Sequence, residues 1–386
     1  MDFRLGDEGD ALRHEIRTFL DELMTDEREE QLYRSGTSFD PDLSDGLRAR
    51  GLLNPDFPVE LGGQGLDPMT VVPLVEEIQR ADAPNYALAT SAMVAKVIHH
   101  VGSDELKQRV LPDVLAAREL IALGFSEPEA GSDVAAVATR AVRDGDEWVI
   151  DGQKMFTTNA HVVKYVFLLT RTNRDVPNHR GLTTFLVPLD SPGVEIQAVQ
   201  TLSGERTNIT FYSGVRLDDS WRIGDVDRGW QSLMIALQDE HSAGYGGHLR
   251  RLLEQAEGWA RETADHDGGV RLDDPDVRTR LARAATELEV TMLLQRRATW
   301  MASRGEVPEA EGPMAKLFST ESLVRASQDL AELIGPDGIR SYFEPTAPRG
   351  GRIEHIMRFA IGTTIYAGTS EVQRNIIAHR GLGLPR

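Results

Sequence analysis

The sequence predicts an α+β, multi-domain chain in the order helical, β, helical. Three observations carry this expectation. At roughly 150 residues per domain, 386 residues make two or three domains. Near residue 121 the hydrophobic period changes from the spacing of helix faces to short β-branched and aromatic runs, and near residue 228 it changes back. The expected domains are 1–120, all-α; 121–227, β; and 228–386, a helical bundle.

In the first domain Leu12, Ile16, Phe19, Leu20 and Leu23 recur on one helix face. Segments 41–51, 68–82, 86–100 and 103–117 behave similarly, separated by Gly and Pro clusters. The glycines at 62, 63 and 65 follow Pro58 and precede Pro68, with no strand before them, so they read as an interhelical loop and not as a dinucleotide-binding turn. In the middle domain, apolar runs at 148–150, 162–169, 182–187, 194–199 and 209–215 are bounded by Asp144-Gly145, Asp151-Gly152, Arg180-Gly181 and Pro192-Gly193. Helical spacing resumes at Gly229, broken at 265–275, 308–313 and 344–351. Leu281, Ala284 and Leu288 then share one face, and Leu323, Leu330, Leu333 and Ile334 another, as in a bundle.

Composition excludes more than it names. Lys and Arg number 42 against 61 Asp and Glu, so the formal charge of −19 disfavours nucleic acid as a partner. With no cysteine, disulfides, thiolate catalysis, Cys-ligated zinc and iron–sulfur clusters are all excluded. No apolar run approaches the roughly 20 residues of a membrane span. The first residues are acidic where a signal peptide would be basic. A soluble, cytoplasmic protein is expected. The histidines form no His-Glu-x-x-His pair, and no Gly-x-Ser-x-Gly elbow or P-loop occurs, so no metal site and neither a common hydrolase nor an NTPase is expected.

The most informative stretch is Phe125-Ser126-Glu127-Pro128-Glu129-Ala130-Gly131-Ser132-Asp133. It leaves a strand, is stiffened by Pro128 and turns at Gly131, where backbone can approach a ligand closely. This segment resembles the signature of the acyl-CoA dehydrogenase family. The resemblance continues in order through Glu60-Leu61-Gly62-Gly63-Gln64-Gly65, Asp151-Gly152-Gln153-Lys154-Met155-Phe156-Thr157-Thr158-Asn159, Arg228-Gly229-Trp230 and the C-terminal run from Tyr366 to Ile377. It implies an N-terminal helical domain, a central β-barrel domain and a C-terminal four-helix bundle, with FAD at their junction. It also implies an oxidoreductase of lipid metabolism, in fatty acid or steroid degradation, that converts an acyl-CoA to its 2-enoyl-CoA.

The residue roles follow from the same likeness. Phe125 and Ser126 are expected at the flavin pyrimidine edge, with Gly131 allowing close approach and Ser132 touching cofactor or thioester. Phe156 is expected to cover a flavin face, Thr158 to hydrogen-bond near N5, and Thr369 and Glu371 to meet the cofactor from the C-terminal turn. Gln238 and His241 are expected beside the substrate. At that turn, Ser370 and Gln373 have the spacing of a capping box, and Gly381 suits a helix end.

The reaction needs a carboxylate to take the α-proton while the β-hydride passes to flavin N5. Many family members place it just before Gly-Thr in the C-terminal turn, where this chain has Ala367. A minority use a Glu on the first long bundle helix, and 237–241 offers Asp239 and Glu240. At about 100° per residue, Trp230, Leu233, Leu237 and Gly244 make an apolar stripe with Glu240 at its edge and Asp239 turned away. Burial there would raise a carboxyl from its usual value near 4.3 toward that of a useful base. The glycines at 244, 246 and 247, each worth about 1 kcal/mol of lost helix propensity, imply close approach of something flat, such as thioester and flavin.

Three departures from the family pattern concern partners. The Arg-x-x-Phe-Gly loop of homotetrameric members is replaced at 264–270, their Gln-x-x-Gly-Gly reads Glu332-Leu333-Ile334-Gly335-Pro336, and His241 replaces an Arg. This pattern resembles the catalytic subunits of heterotetrameric steroid side-chain acyl-CoA dehydrogenases. It implies an α₂β₂ assembly with a second dehydrogenase-like subunit, a homo-oligomer being the alternative. Electron-transfer flavoprotein is the expected acceptor. The rival readings are an acyl-thioester oxidase, a carrier-protein thioester dehydrogenase and a non-catalytic partner subunit.

Overall fold

The computed structural model describes residues 3, 5–240, 244–265 and 268–385, except the side chains of 238–240. Six helices come first: α1 (Gly6–Leu23), α2 (Asp26–Ser35), α3 (Pro41–Ala49), α4 (Pro68–Arg80), α5 (Tyr86–Val101) and α6 (Asp104–Leu115). Eight strands follow: β1 (Ile121–Gly124), β2 (Arg140–Asp144), β3 (Glu147–Lys154), β4 (Tyr165–Arg171), β5 (Leu182–Pro188), β6 (Val194–Gln200), β7 (Arg206–Asp218) and β8 (Arg222–Ile223). The chain then returns to helix with α7 (Gly229–Glu240), α8 (Gly246–Glu262), α9 (Pro275–Ser303), α10 (Glu311–Ile334), α11 (Arg352–Thr363) and α12 (Ser370–Ile376). Three of the helices open on Asp-Pro. Asp40, Asp67 and Asp274 each accept a hydrogen bond from a first-turn N–H, and the proline that follows has no N–H to leave unpaired. Helix α2 escaped the sequence reading because it is nearly all polar, with Glu29 its one buried residue.

The chain packs as two units. One comprises Gln31–Gly65 and Pro84–Glu240. Its sheet runs β6-β7-β3-β2-β4-β5-β8, with β1 parallel to β4. Strand β4 is buried along its whole length because both its faces are covered. Val166 and Leu168 join Trp148, Ile150, Phe185 and Tyr212 on one face. Tyr165 and Phe167 point the other way, into a core with Val94, Val97 and Ile98 of α5 and Leu106 and Val110 of α6. The period-2 alternation of a strand produces this division.

The other unit comprises Met1–Glu30, Leu66–Ala83 and His241–Arg386. Leu249, Leu252 and Ala256 of α8, Leu281, Ala284 and Leu288 of α9, Leu323 and Leu330 of α10, and Ile353 and Ile356 of α11 share one core, that of a four-helix bundle. Helix α4 packs here too and buries two adjacent carboxylates, Glu76 and Glu77. Arg17 chelates Glu77 with two bonds of 2.9 Å, Arg80 adds one of 2.7 Å and Arg13 one of 2.9 Å, while Arg296 reaches Glu76 at 3.2 Å. Burial opposes the charge on Glu77, but these guanidiniums hold its pKa down at about 2.

Two expectations fail in this unit. The stripe drawn through Gly244 assumed one continuous helix, whereas Gly244 and Tyr245 are non-helical and α8 starts at Gly246. The three glycines serve helix packing and not the approach of a ligand. A Cβ on Gly244 would overlap the Gln295 side chain, one on Gly246 the Met292 sulfur, and one on Gly247 the Glu76 carbonyl oxygen and Gln79 Cβ. The close neighbours are therefore α4 and α9. Gln79 completes the junction by donating to the Gly244 carbonyl at 2.8 Å and accepting from the Gly247 N–H at 3.1 Å.

Candidate active site

The signature loop leaves β1 and is fixed at both ends by buried charge. Glu127 turns inward, and its carboxylate accepts the N–H groups of Ala138 and Thr139 at 2.7 and 2.9 Å. Lys154, fully buried at the end of β3, donates to the same carboxylate at 2.7 Å and to the Phe125 carbonyl at 3.1 Å. Ala130 is buried beside Leu233, while Gly131, Ser132 and Asp133 face outward. A Cβ at Gly131 would meet no atom within 4 Å, so the backbone there is open to a ligand. The hydroxyls of Ser126 and Ser132 have no partner among the described residues. The Phe125 ring packs edge-on against Phe167, 5.4 Å between centroids, which leaves its backbone as the part able to meet a ligand.

The segment after β3 lies alongside this loop, since the Met155 N–H donates to the Ser126 carbonyl at 2.9 Å. Phe156 adopts φ of 60°, rare for a residue with a side chain, and leaves its ring 61% exposed. An aromatic ring held outward by strained backbone is a surface awaiting a partner. Thr158 Oγ1 is 3.0 Å from Thr207 Oγ1, so its hydroxyl is already anchored on β7. Close by in the chain, Asn159 Nδ2 and His161 Nε2 are buried with no hydrogen-bond partner among the described residues. Burial and nearby Arg206 keep His161 below its usual pKa, and hence neutral. Unpaired buried donors and acceptors beside an exposed aromatic ring and an open glycine turn fit a flat, polar-edged ring system such as a flavin.

Helix α7 lies on the same loop. Its Trp230, Leu233, Met234 and Leu237 pack with Phe125, Ala130, Val134 and Val137. Position 240 comes one turn after Leu237, at the end of the helix. The side chains of Gln238 and Glu240, and His241 entirely, lie outside the described residues.

Thr369 and Glu371 belong to the helical unit. The cap of α12 is Thr369, whose hydroxyl accepts the Val372 N–H at 3.3 Å, so the expected Ser370–Gln373 capping box does not form. Ala367 and Gly368 are both left-handed, with φ of 56° and 81°, and this double turn points Gln373 inward instead. Gln373 donates to the Ala367 carbonyl at 3.0 Å, and buried Lys316 donates to the Gly368 carbonyl at 2.6 Å. Glu371 is exposed; its own backbone N–H and the Thr369 hydroxyl hold its pKa below the usual carboxylate range. The helix does end at Gly381, through a short π-helical stretch from Ile377.

In the sequence Glu127 and Lys154 stand only as letters of two motifs. Neither stands out from its neighbours in the sequence, and the pairing across 27 positions appears only in the fold. Among the described residues no cluster of His, Asp and Glu suited to a metal exists, and no helix is long and apolar enough to cross a membrane.

Comparison with known proteins gives three ordered matches. The N-terminal, middle and C-terminal domain models of acyl-CoA dehydrogenase match residues 6–118, 122–219 and 227–382. Acyl-CoA dehydrogenase FadE26 of Mycobacterium tuberculosis is 35% identical over 399 aligned residues, covering 98% of this chain and 97% of that protein. Among solved structures, the Tcur3481-Tcur3483 steroid ACAD matches with a TM-score of 0.92 at 33% identity, and the ChsE4-ChsE5 complex from Mycobacterium tuberculosis with 0.91 at 34%, each over the full length of both chains. Fold, site and likeness together define a flavin-dependent oxidoreductase acting on acyl-CoA. The chain belongs to the acyl-CoA dehydrogenase family.

Proposed function

We propose that this protein binds FAD and removes the α and β hydrogens of an acyl-CoA thioester, with Glu240 as the α-proton base. The observation that carries the reading is the convergence of the signature loop, the outward Phe156 ring and the packed face of α7 on one unit. Bound FAD supplies the acceptor for the β-hydrogen and two electrons. Phe156 would cover one face of the ring, Ser126 and the Phe125 backbone would meet its polar edge, and the Thr158 hydroxyl, braced by Thr207, would offer it a hydrogen bond. By the family likeness Gly131 and Ser132 would border cofactor and thioester, Gln238 and His241 would serve the substrate, and Thr369 and Glu371 would serve the cofactor. Glu240 stands one helical turn beyond Leu237 in the chain, at the position where the family's helix-borne base falls. Ala367 has no proton to exchange, which leaves Glu240 as the chain's base. Glu240→Gln is expected to keep the yellow flavin spectrum and lower turnover by about 10³-fold, in the range of a lost general base. Near-normal turnover would reject the assignment.

The substrate class proposed is an acyl-CoA bearing a bulky, steroid-type acyl group, supported by likeness to the steroid ACAD. Bleaching of the flavin by such thioesters in preference to straight-chain ones tests it. The partner proposed is a second dehydrogenase-like subunit in an α₂β₂ assembly. The support is Glu332, exposed at the end of α10 where the family's glutamine would serve a neighbouring cofactor, and likeness to the ChsE4-ChsE5 complex. The 264–270 segment closes on itself through Asp265 and Gly269, with no arginine in it to extend. Full FAD occupancy in a homo-oligomer of this chain would remove the need for a partner. Electron-transfer flavoprotein is the acceptor proposed.

A further inference from the structure

Two buried cations underlie the signature loop. Arg171 on β4, 6% exposed, spends its guanidinium on the carbonyls of Ala135, Val137 and Asn178, and its backbone N–H donates to the Thr139 carbonyl at 2.7 Å. It holds the far end of the loop. Lys154 holds the near end through Phe125 and Glu127. Lys154 differs from Arg171 in one respect: it ends β3 two residues before Phe156 in the chain, and its neighbour Met155 donates its N–H to the Ser126 carbonyl. A displacement of its ammonium therefore moves two chain segments at once.

We propose that Lys154 is a positioning residue for the flavin: from the end of β3 its ammonium locks together the signature loop and the 156–158 turn, the two segments that flank the ring. The assignment rests on the FAD reading given above. The loop has few bonds to the sheet besides those made by Lys154, Met155, Arg171 and the Glu127 carboxylate, and Glu127 is itself buried and needs a cation to remain charged. The charged groups facing Lys154 are Glu127 from the loop and Arg171 from β4. Burial pushes the Lys154 pKa down from 10.5 to about 8, against the pull of Glu127, and Arg171 adds to the lowering. The lock is thus complete at neutral pH and loosens as pH rises past about 8. A single Lys154→Met would strand the Glu127 carboxylate, so the informative variant is Lys154→Met with Glu127→Gln, which removes both charges.

The test is FAD affinity by fluorescence titration between pH 7 and 9.5, on the purified protein together with whatever subunit co-purifies, and melting of the FAD-free protein. The double variant is expected to melt cooperatively and to bind FAD at least about tenfold more weakly at pH 7. Wild-type affinity is expected to fall by up to about tenfold per pH unit above 8, the limit for one linked proton, while the variant, sharing every other titrating group, shows no such fall. A variant affinity within twofold of wild type, or a pH dependence equal in both, overturns the proposal. Should the variant not fold, the wild-type series decides alone, and a flat profile overturns it. A wild type that takes up no FAD at any pH refutes the flavin reading itself, and this inference with it.

Discussion

Phe156 carries a conflict that locates function at a single residue. A left-handed backbone costs a residue with a Cβ roughly 1–2 kcal/mol, and an aromatic ring 61% exposed recovers little of it by burial. Phe156→Gly separates the two terms, because glycine adopts φ of 60° freely. The FAD-free protein is expected to melt no lower than wild type, while FAD binds about tenfold more weakly for want of the stacked ring. A variant that melts lower and binds FAD normally would show the ring to be structural. Sequence likeness named Phe156 for the flavin, but the strain that marks it became visible only with its backbone angles. Lys154 and Glu127 were less legible still, because a buried ion pair is a relation between two places in the chain.

At the scale of elements, the junction of α7 and α8 is the instructive case. Apolar spacing runs through it without interruption, so the sequence reads as one helix, and the glycines read as room for a ligand. Packing decides otherwise, because α4 and α9 approach so closely that no Cβ fits. Gly247→Ala is expected to destabilise the protein by roughly 2 kcal/mol, as overpacking against fixed backbone does, with FAD affinity per folded molecule unchanged. Denaturant melting and flavin titration of the same sample measure both. A stability change under about 0.5 kcal/mol would mean that α4 yields readily. Polar α2 illustrates the reverse limit: with one buried residue it offers no periodicity, and its place is set by Glu29, which pairs with Arg251 and accepts from the Tyr342 hydroxyl at 3.0 Å each.

At the scale of the molecule, the −19 charge is met locally by buried arginine and lysine, and the helical unit depends on pH as a result. His248 on α8 stacks near Tyr245 and Phe359, with Asp82 at 4.0 Å and Arg251 and His355 also facing it. Burial lowers its pKa from 6.5 to about 4, with Arg251 and His355 adding to the fall and Asp82 opposing it. The unfolded chain therefore takes up this proton near 6.5 and the folded chain only near 4. The stabilisation is complete above pH 6.5 and is lost as pH falls toward 4, amounting to roughly 3 kcal/mol. Glu77, lowered from 4.5 to about 2, adds a second loss below 4.5. Melting temperature is expected to drop between pH 6.5 and 4, and His248→Leu to flatten that slope; an equal slope in the variant would place the effect elsewhere. The sequence alone determined the order of helical and β segments, the signature loop and the lack of a carboxylate at position 367, because period, turn chemistry and motif are local. Only the tertiary structure decided which charges are paired, why three glycines stand at the start of α8 and which residue caps α12. Those outcomes depend on backbone and side chains brought into contact from distant positions, where burial sets the energy of a charge and the free volume beside a Cα.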